Sequence, residues 1–181
     1  VLTDAAGSVQ LGGDVTATGA AGVVFNEQVT LTGDVRIDTG AGDGPIRFGA
    51  TVDSDSVQPR ALTLAAGGGN ITVTGAVGGT RALAGLAIDS AADAGFSAIT
   101  AASLTQTAGT GTTSIAGTLT LTSDLDFTGN ALTLTGSGNT LGGDFKVANS
   151  GVFTTGNAAD LDIAGSFNQT GAGASVIGED I

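Results

Sequence analysis

The sequence predicts an all-β chain wound as a parallel β-helix, and three observations carry that expectation. Apolar and polar residues alternate with a period of two nearly everywhere. The alternating runs are about four to six residues long and end in Gly, Asn, Asp or Ser, the pattern of strands and turns. Short motifs return at a loose step of about 20 residues, which suits one turn of a solenoid. The clearest strands are Gln-Val-Thr-Leu-Thr at 28–32, Ala-Leu-Thr-Leu at 61–64, Asn-Ile-Thr-Val-Thr at 70–74, Thr-Leu-Thr-Leu-Thr at 118–122 and Ala-Leu-Thr-Leu-Thr at 131–135. Val, Ile and Thr favour these positions because β-branching suits a pleated surface. Residues 82–94 come nearest to a helix, but Gly85 and the β-branched Ile88 argue against one. A sandwich would need longer strands, real loops and a larger aromatic core than seven Phe provide.

The recurrences set a coil length. Leu11-Gly-Gly-Asp-Val15 returns as Leu31-Thr-Gly-Asp-Val35 and again as Leu141-Gly-Gly-Asp-Phe145. Phe25 and Phe48, Phe127 and Phe145, Phe145 and Phe167, and Leu86 and Leu104 are each separated by a similar step. About nine coils of roughly 20 residues follow, a rod about 40 Å long at a rise near 4.8 Å per coil. Inward Leu, Val, Ile and Phe would stack as ladders, and outward Thr would form the faces. Gly and Asn would take the left-handed conformations at the corners.

Composition removes whole classes of function. The chain has 181 residues and a mass of 17.2 kDa, which makes its side chains small; 32 are Gly and 27 are Thr. There is no Cys or His, so disulfides, Ser–His–Asp and Cys–His nucleophiles and His or Cys metal cages are all excluded. A net charge of −12 disfavours nucleic acid and anionic membranes. The apolar fraction of 41% with only 12% charged residues is opposite to the signature of disorder. No apolar run approaches the roughly 18 residues of a membrane-spanning helix. The chain opens at Val1 with no charged segment followed by an apolar one, as expected of a mature chain or a slice of a longer one.

A longer similarity favours the slice. Ser8-Val-Gln-Leu-Gly-Gly-Asp-Val15 resembles Ser175-Val-Ile-Gly-Glu-Asp-Ile181, at an offset of about 166–167 positions that reads as a long internal repeat. Residues 1–181 then read as one solenoid unit of a tandem array. The ends, Val1, Leu2 and Thr3 at one and Val176, Ile177 and Ile181 at the other, look like ordinary coil strands and not caps. Uncapped coils expose unpaired strand edges, which calls for continuation along the axis, within one giant chain or between head-to-tail subunits.

The grammar of the Thr-Leu-Thr-Leu-Thr, Asn-Ile-Thr-Val-Thr-Gly and Leu-Thr-Gly-Asp-Val segments resembles the giant β-strand-repeat proteins of bacteria. These are similar to filamentous-haemagglutinin-type passengers exported by two-partner secretion or autotransport. The resemblance covers essentially the whole chain, through repeat style and composition and not through a catalytic or ligand motif. It implies a right-handed parallel β-helix, an extracellular or cell-surface location and an adhesive, fibre-forming role. Partners would then be further copies along the axis and a host or cell-surface receptor or polysaccharide, with no enzyme activity.

Candidate sites are few. Asp53/Asp55, Asp124/Asp126 and Asp160/Asp162 are paired two apart, which puts both carboxylates on one side of a strand. Such pairs would suit Ca²⁺ or acid–base work on a polysaccharide, but the simpler reading is a solvated, charged face or turn that keeps the rod soluble. Gly40-Ala-Gly-Asp-Gly44 only echoes a β-roll calcium repeat and reads better as a turn before Pro45. Thr-x-Thr pairs at 16/18, 30/32, 72/74, 105/107, 118/120/122 and 133/135 raise an ice-binding face as an alternative, though their spacing is uneven. Arg36, Arg47, Arg60, Arg81 and Lys146 would pair with Asp on neighbouring coils, with Arg60 and Arg81 one coil apart. Asn130, Asn139, Asn149 and Asn157 suggest corner ladders.

Overall fold

A computed structural model describes residues 7–156 and 160–178. Three strands make each coil. The first coil holds β1 (Ser8–Leu11), β2 (Val15–Thr16) and β3 (Val23–Phe25), and the second β4 (Gln28–Leu31), β5 (Val35–Asp38) and β6 (Ile46–Phe48). Then follow β7 (Val52–Ser54), β8 (Ala61–Ala65), β9 (Ile71–Val77), β10 (Gly85–Ser90), β11 (Ala94–Ala101), β12 (Leu104–Gln106) and β13 (Thr112–Ile115). The last three coils are β14 (Leu119–Leu121), β15 (Leu125–Gly129) and β16 (Ala131–Leu134); β17 (Asn139–Leu141), β18 (Phe145–Asn149) and β19 (Phe153–Thr155); and β20 (Leu161–Ile163), β21 (Phe167–Gln169) and β22 (Ser175–Ile177).

These strands stack into three faces, and every pairing is parallel. The first face runs from β1 to β20, the third from β3 to β22. The second is the eight-stranded sheet β2-β5-β8-β10-β12-β15-β18-β21. The long strands β9 and β11 turn the corner from the third face into the first, which joins those two faces into one 14-stranded sheet. The chain is therefore an all-β parallel solenoid of about eight turns. It has one turn fewer than the expected nine because coil length varies. Leu86 reaches its ladder partner Leu104 by a short coil, whereas Val35 reaches Leu62 only after a much longer one.

Alternation builds the core. In β14 Leu119 and Leu121 are buried and Thr120 is half-buried; β4, β8 and β16 repeat the pattern. Inward residues form axial ladders such as Val35-Leu62-Leu86-Leu104-Leu125-Phe145-Phe167. Full burial of each such side chain stabilises by roughly 1.5–3 kcal/mol. The steps Phe25–Phe48, Phe145–Phe167, Leu11–Leu31 and Leu86–Leu104 are true coil steps. The Phe127–Phe145 step is not: Phe127 pairs with Val147, and Phe145 with Leu125. Ser8–Leu11 stands on the first face and Ser175–Ile177 on the third, so the resemblance between those segments is not one of coil position.

Corners follow two rules. Gly stacks on backbone where no Cβ fits: a methyl on Gly136 would land on the Gly117 carbonyl, and one on Gly117 on that of Ser97. At the corner from first to second face an Asp carboxylate accepts from the backbone N–H of the next coil. Asp14 accepts from Arg36 at 2.8 Å, Asp34 from Ala61 at 2.9 Å, Asp124 from Asp144 at 2.8 Å and Asp144 from Ser166 at 3.0 Å. This is the physical content of the recurring Leu-x-x-Asp motif: the acid satisfies a donor that the bend removes from the strand ladder.

Candidate functional site

The acid pairs separate in space. Asp53 is 3% exposed, and its Oδ1 accepts from the N–H groups of Thr80 and Arg81 at 2.8 and 3.0 Å. Asp55 pairs with Arg60 at 2.9 Å and accepts from the Val57 and Gln58 N–H groups. The Arg60 hydrogen bond, followed by that from Gln58, holds the Asp55 carboxyl below its ordinary 3.8. Asp124 is a corner acid, whereas Asp126 projects from the second face in register with Lys146. Asp160 and Asp162 are exposed, the latter on the first face in register with Thr140. Among the described residues no three acids converge as a metal-ligand set. Asp43 ends a short 3₁₀ turn with φ 49°, and its Oδ1 accepts from Gly68 N–H at 2.6 Å, so the glycine-rich stretch before Pro45 is a turn.

The other candidates fall as follows. Thr100, Thr120 and Thr140 stack on the first face for three coils, and Asp162 then ends the row. A flat Thr array spanning the rod is absent among the described residues. Phe127 points into the core at 2% exposure, and no Phe is exposed. Asn139 and Asn149 belong to one coil at different corners. Asn139 accepts from Leu119 N–H and donates to Gly136 O, and Asn149 donates to Gly151 O. They are separate corner clamps and not a ladder; Asn157 lies outside the described residues. Arg36 bonds Asp38 at 3.2 Å and also Asp89, two coils up the same face, so cross-coil pairing does occur. Arg60 does not align with Arg81, because its carbonyl accepts from Ala84 N–H and the intervening coil carries an insertion.

Two places depart from the regular prism. The first is the pair of terminal coils. Val9 and Leu11 in β1 are half-buried, while Val29 and Leu31 stacked on them are at 0%. At the opposite end Ile163 and Phe167 are half-buried, and Val176 and Ile177 are 56% and 40% exposed. Among the described residues no strand pairs with the outer edges of β1 and β2 or of β20, β21 and β22. Val1, Leu2, Thr3 and Ile181 lie outside the described residues.

The second departure is on the first-to-second corner of the middle coils. There the corner Asp is replaced by Ala61, Gly85 and Ser103, and two loops, 55–60 and 78–84, stand out instead. Ser54 Oγ ties both loops, accepting from Arg60 N–H and donating to Ala82 O, each at 2.9 Å. Between them lies a recess of about 350 Å³, which shares Pro59 and Ala82 as wall with an apolar trough of about 410 Å³. Sequence reading missed this feature, although the corner form of the motif, Leu-(Gly/Thr)-(Gly/Ser)-Asp, is missing between Asp34 and Asp124 and marks its place.

No helix among the described residues is long and apolar enough to cross a membrane. No family model, curated protein or solved structure matches the chain.

Proposed function

We propose that this chain is a structural module of an extracellular bacterial surface fibre, and that it propagates end to end by stacking coil on coil. The observation that carries the reading is the state of the terminal coils. Each presents parallel strand edges with no partner among the described residues. In the first coil Val9, Leu11 and Val15, on the first and second faces, are less buried than Val29, Leu31 and Ile37 one coil inward, whereas Val23 and Phe25 on the third face are buried; in the last coil Ile163, Phe167 and Ile177 are less buried than Leu141, Phe145 and Thr155. Unpaired edges of this kind template further strands. Both terminal coils carry the three faces in the same order, so a head-to-tail copy meets strands running in its own direction. Following the ladders, its Val9 stands over Leu161 and its Leu11 over Ile163. Such a joint is heterologous and open, which makes filaments and not closed dimers.

The same module serves in an adhesin of the filamentous-haemagglutinin kind, displayed on the cell surface and without catalysis; the repeat grammar supports this. Exposed carboxylates such as Asp126 and Asp162 keep neighbouring rods apart at low salt, and Ca²⁺ bridges them. Sedimentation with and without Ca²⁺ tests the bridging, and unchanged bundling retires it.

The stacking itself is tested by electron microscopy and sedimentation of the 181-residue chain against two charged-end variants, Leu11→Lys and Ile163→Lys. The wild type forms filaments with an axial repeat of about 38 Å, eight coils at about 4.8 Å each. Each variant alone is monomeric, and their mixture stops at heterodimers, because each retains one good end. A wild-type chain that stays monomeric at millimolar concentration, or filaments that survive both substitutions, overturns the reading.

A further inference from the structure

We infer that the recess and trough on the corner of the middle coils form a binding site for an extended peptide segment bearing a carboxylate beside an aliphatic side chain. In a solenoid, insertions cluster on one side, and that side is often the binding face. Here both insertions lie on the same corner, and both are held before any ligand arrives. Asp53 pins the 78–84 loop through Thr80 and Arg81, Asp55 pins the 55–60 loop through Val57, Gln58 and Arg60, and Ser54 joins the two. A site whose walls are already ordered loses little entropy on binding.

The chemistry divides along the site. Arg81 lines the recess, and among the described residues no carboxylate pairs with its guanidinium. Asp55 is the one acid in the lining, and Arg60 neutralises it at 2.9 Å. An incoming carboxylate therefore meets a guanidinium that has no ion-pair partner among the described residues, and the nearby Asp53 carboxylate is buried and turned to the Thr80 and Arg81 N–H groups, which leaves the guanidinium free for the charge-assisted, bidentate geometry of Arg. Gln58 and Thr80 beside it offer side-chain partners to a peptide backbone. Beyond Pro59 the lining turns apolar. Leu83 and Ala101 are buried there, and the short side chains of Ala82, Ala84 and Ala102 allow a main chain to come close. Val57, 79% exposed, adds apolar surface at the rim. No aromatic side chain lines either part, so a sugar ring finds no stacking platform, whereas an aliphatic side chain finds a trough.

The test is selection of a random heptapeptide phage library on chain carrying Leu11→Lys, which does not stack under the fibre reading, so failure here is separable from failure there. Chain that also carries Arg81→Gln serves for counter-selection. Enriched peptides are expected to place Asp or Glu within two residues of Leu, Ile or Val. A fluorescein-labelled winner should bind at least tenfold more weakly after Arg81→Gln, and equally so after Ala84→Leu, which fills the trough from an exposed position. Arg47→Gln, on the third face, should leave affinity unchanged, and circular dichroism confirms that each variant is folded. Lack of enrichment over the Arg81→Gln chain, enriched peptides without acids, or affinity indifferent to Arg81 and Ala84 overturns the inference. Binding of a uronic-acid hexasaccharide in place of peptides also overturns it and assigns the site to glycans.

Discussion

Replacing Phe145 by Ala should unravel one end of the rod while leaving the other intact. Phe145 is fully buried on the second face, with its ring 5.4 Å from Phe153 in a T-shaped contact and 5.1 Å from Phe167. Truncating a buried Phe costs about 3–5 kcal/mol, and aromatic pairs of this geometry contribute about 0.5–1.5 kcal/mol beyond their area. In a solenoid the core side chains of each coil pack only on neighbouring coils, so stability is close to a sum of local terms. The loss therefore falls on the coil of Phe145, where Phe153 loses its ring contact, and on the final coil, where Phe167 loses its ladder partner. At about 1.4 kcal/mol per tenfold, a loss of about 3 kcal/mol is about a hundredfold in local opening. Hydrogen exchange followed by mass spectrometry should show amide protection in β18, β20, β21 and β22 falling by at least about that factor, while β4 to β8 keep theirs. A uniform fall along the chain would refute nearest-neighbour stability. No change at β21 would refute the assigned Phe145–Phe167 ladder.

Three further outcomes follow from the corners. Gly136→Ala, whose methyl meets the Gly117 carbonyl, should lower stability by about 1–3 kcal/mol in urea titration, whereas Gly13→Ala, with open space around its Cβ, should be neutral or slightly stabilising. Asp53→Ala leaves two loop N–H groups without their acceptor and should cost about 1–3 kcal/mol for each that water does not reach; Asp53→Asn keeps the Oδ1 acceptor and should cost far less, and equal losses in thermal melts would contradict the hydrogen-bond assignment. The Asp144 carboxyl is held below its ordinary 3.8 by the Ser166 N–H and hydroxyl, so its contribution to stability is present above the unfolded value and lost as pH falls through the folded one. Urea midpoints of wild type and Asp144→Asn should thus converge as pH drops below 3.8, and a constant difference would exclude this linkage.

Much of this arrangement is written locally. Leu-Thr-Leu alternation needs only the two-residue period of a strand to decide which side chain enters the core, so β4, β8, β14 and β16 are legible without coordinates. The Leu-x-x-Asp motif is legible as a recurrence, and only its role was hidden: a carboxylate reaching a donor one full coil away looks, in sequence, like any surface acid. The same limit hides the roles of Asp53, Asp55 and Asp124 as acceptors for backbone and arginine donors. Adjacent acids on one strand face in the same direction, yet a loop inserted a coil later covers one of them and an arginine claims another.

What the sequence by itself determined is the strand period, the small-residue corners and the coil step where it recurs near 20 residues, because each depends on contacts between residues near in the chain or on a motif repeated from one coil to the next. Only the tertiary structure decided the rest: that there are three faces and eight coils, that Phe145 stacks on Leu125 and not on Phe127, and that the 55–60 and 78–84 loops meet to enclose a recess. The physical reason is that corner length is free to vary. A corner of any length that satisfies its backbone donors closes a coil, so register between coils emerges only when all the ladders are packed at once.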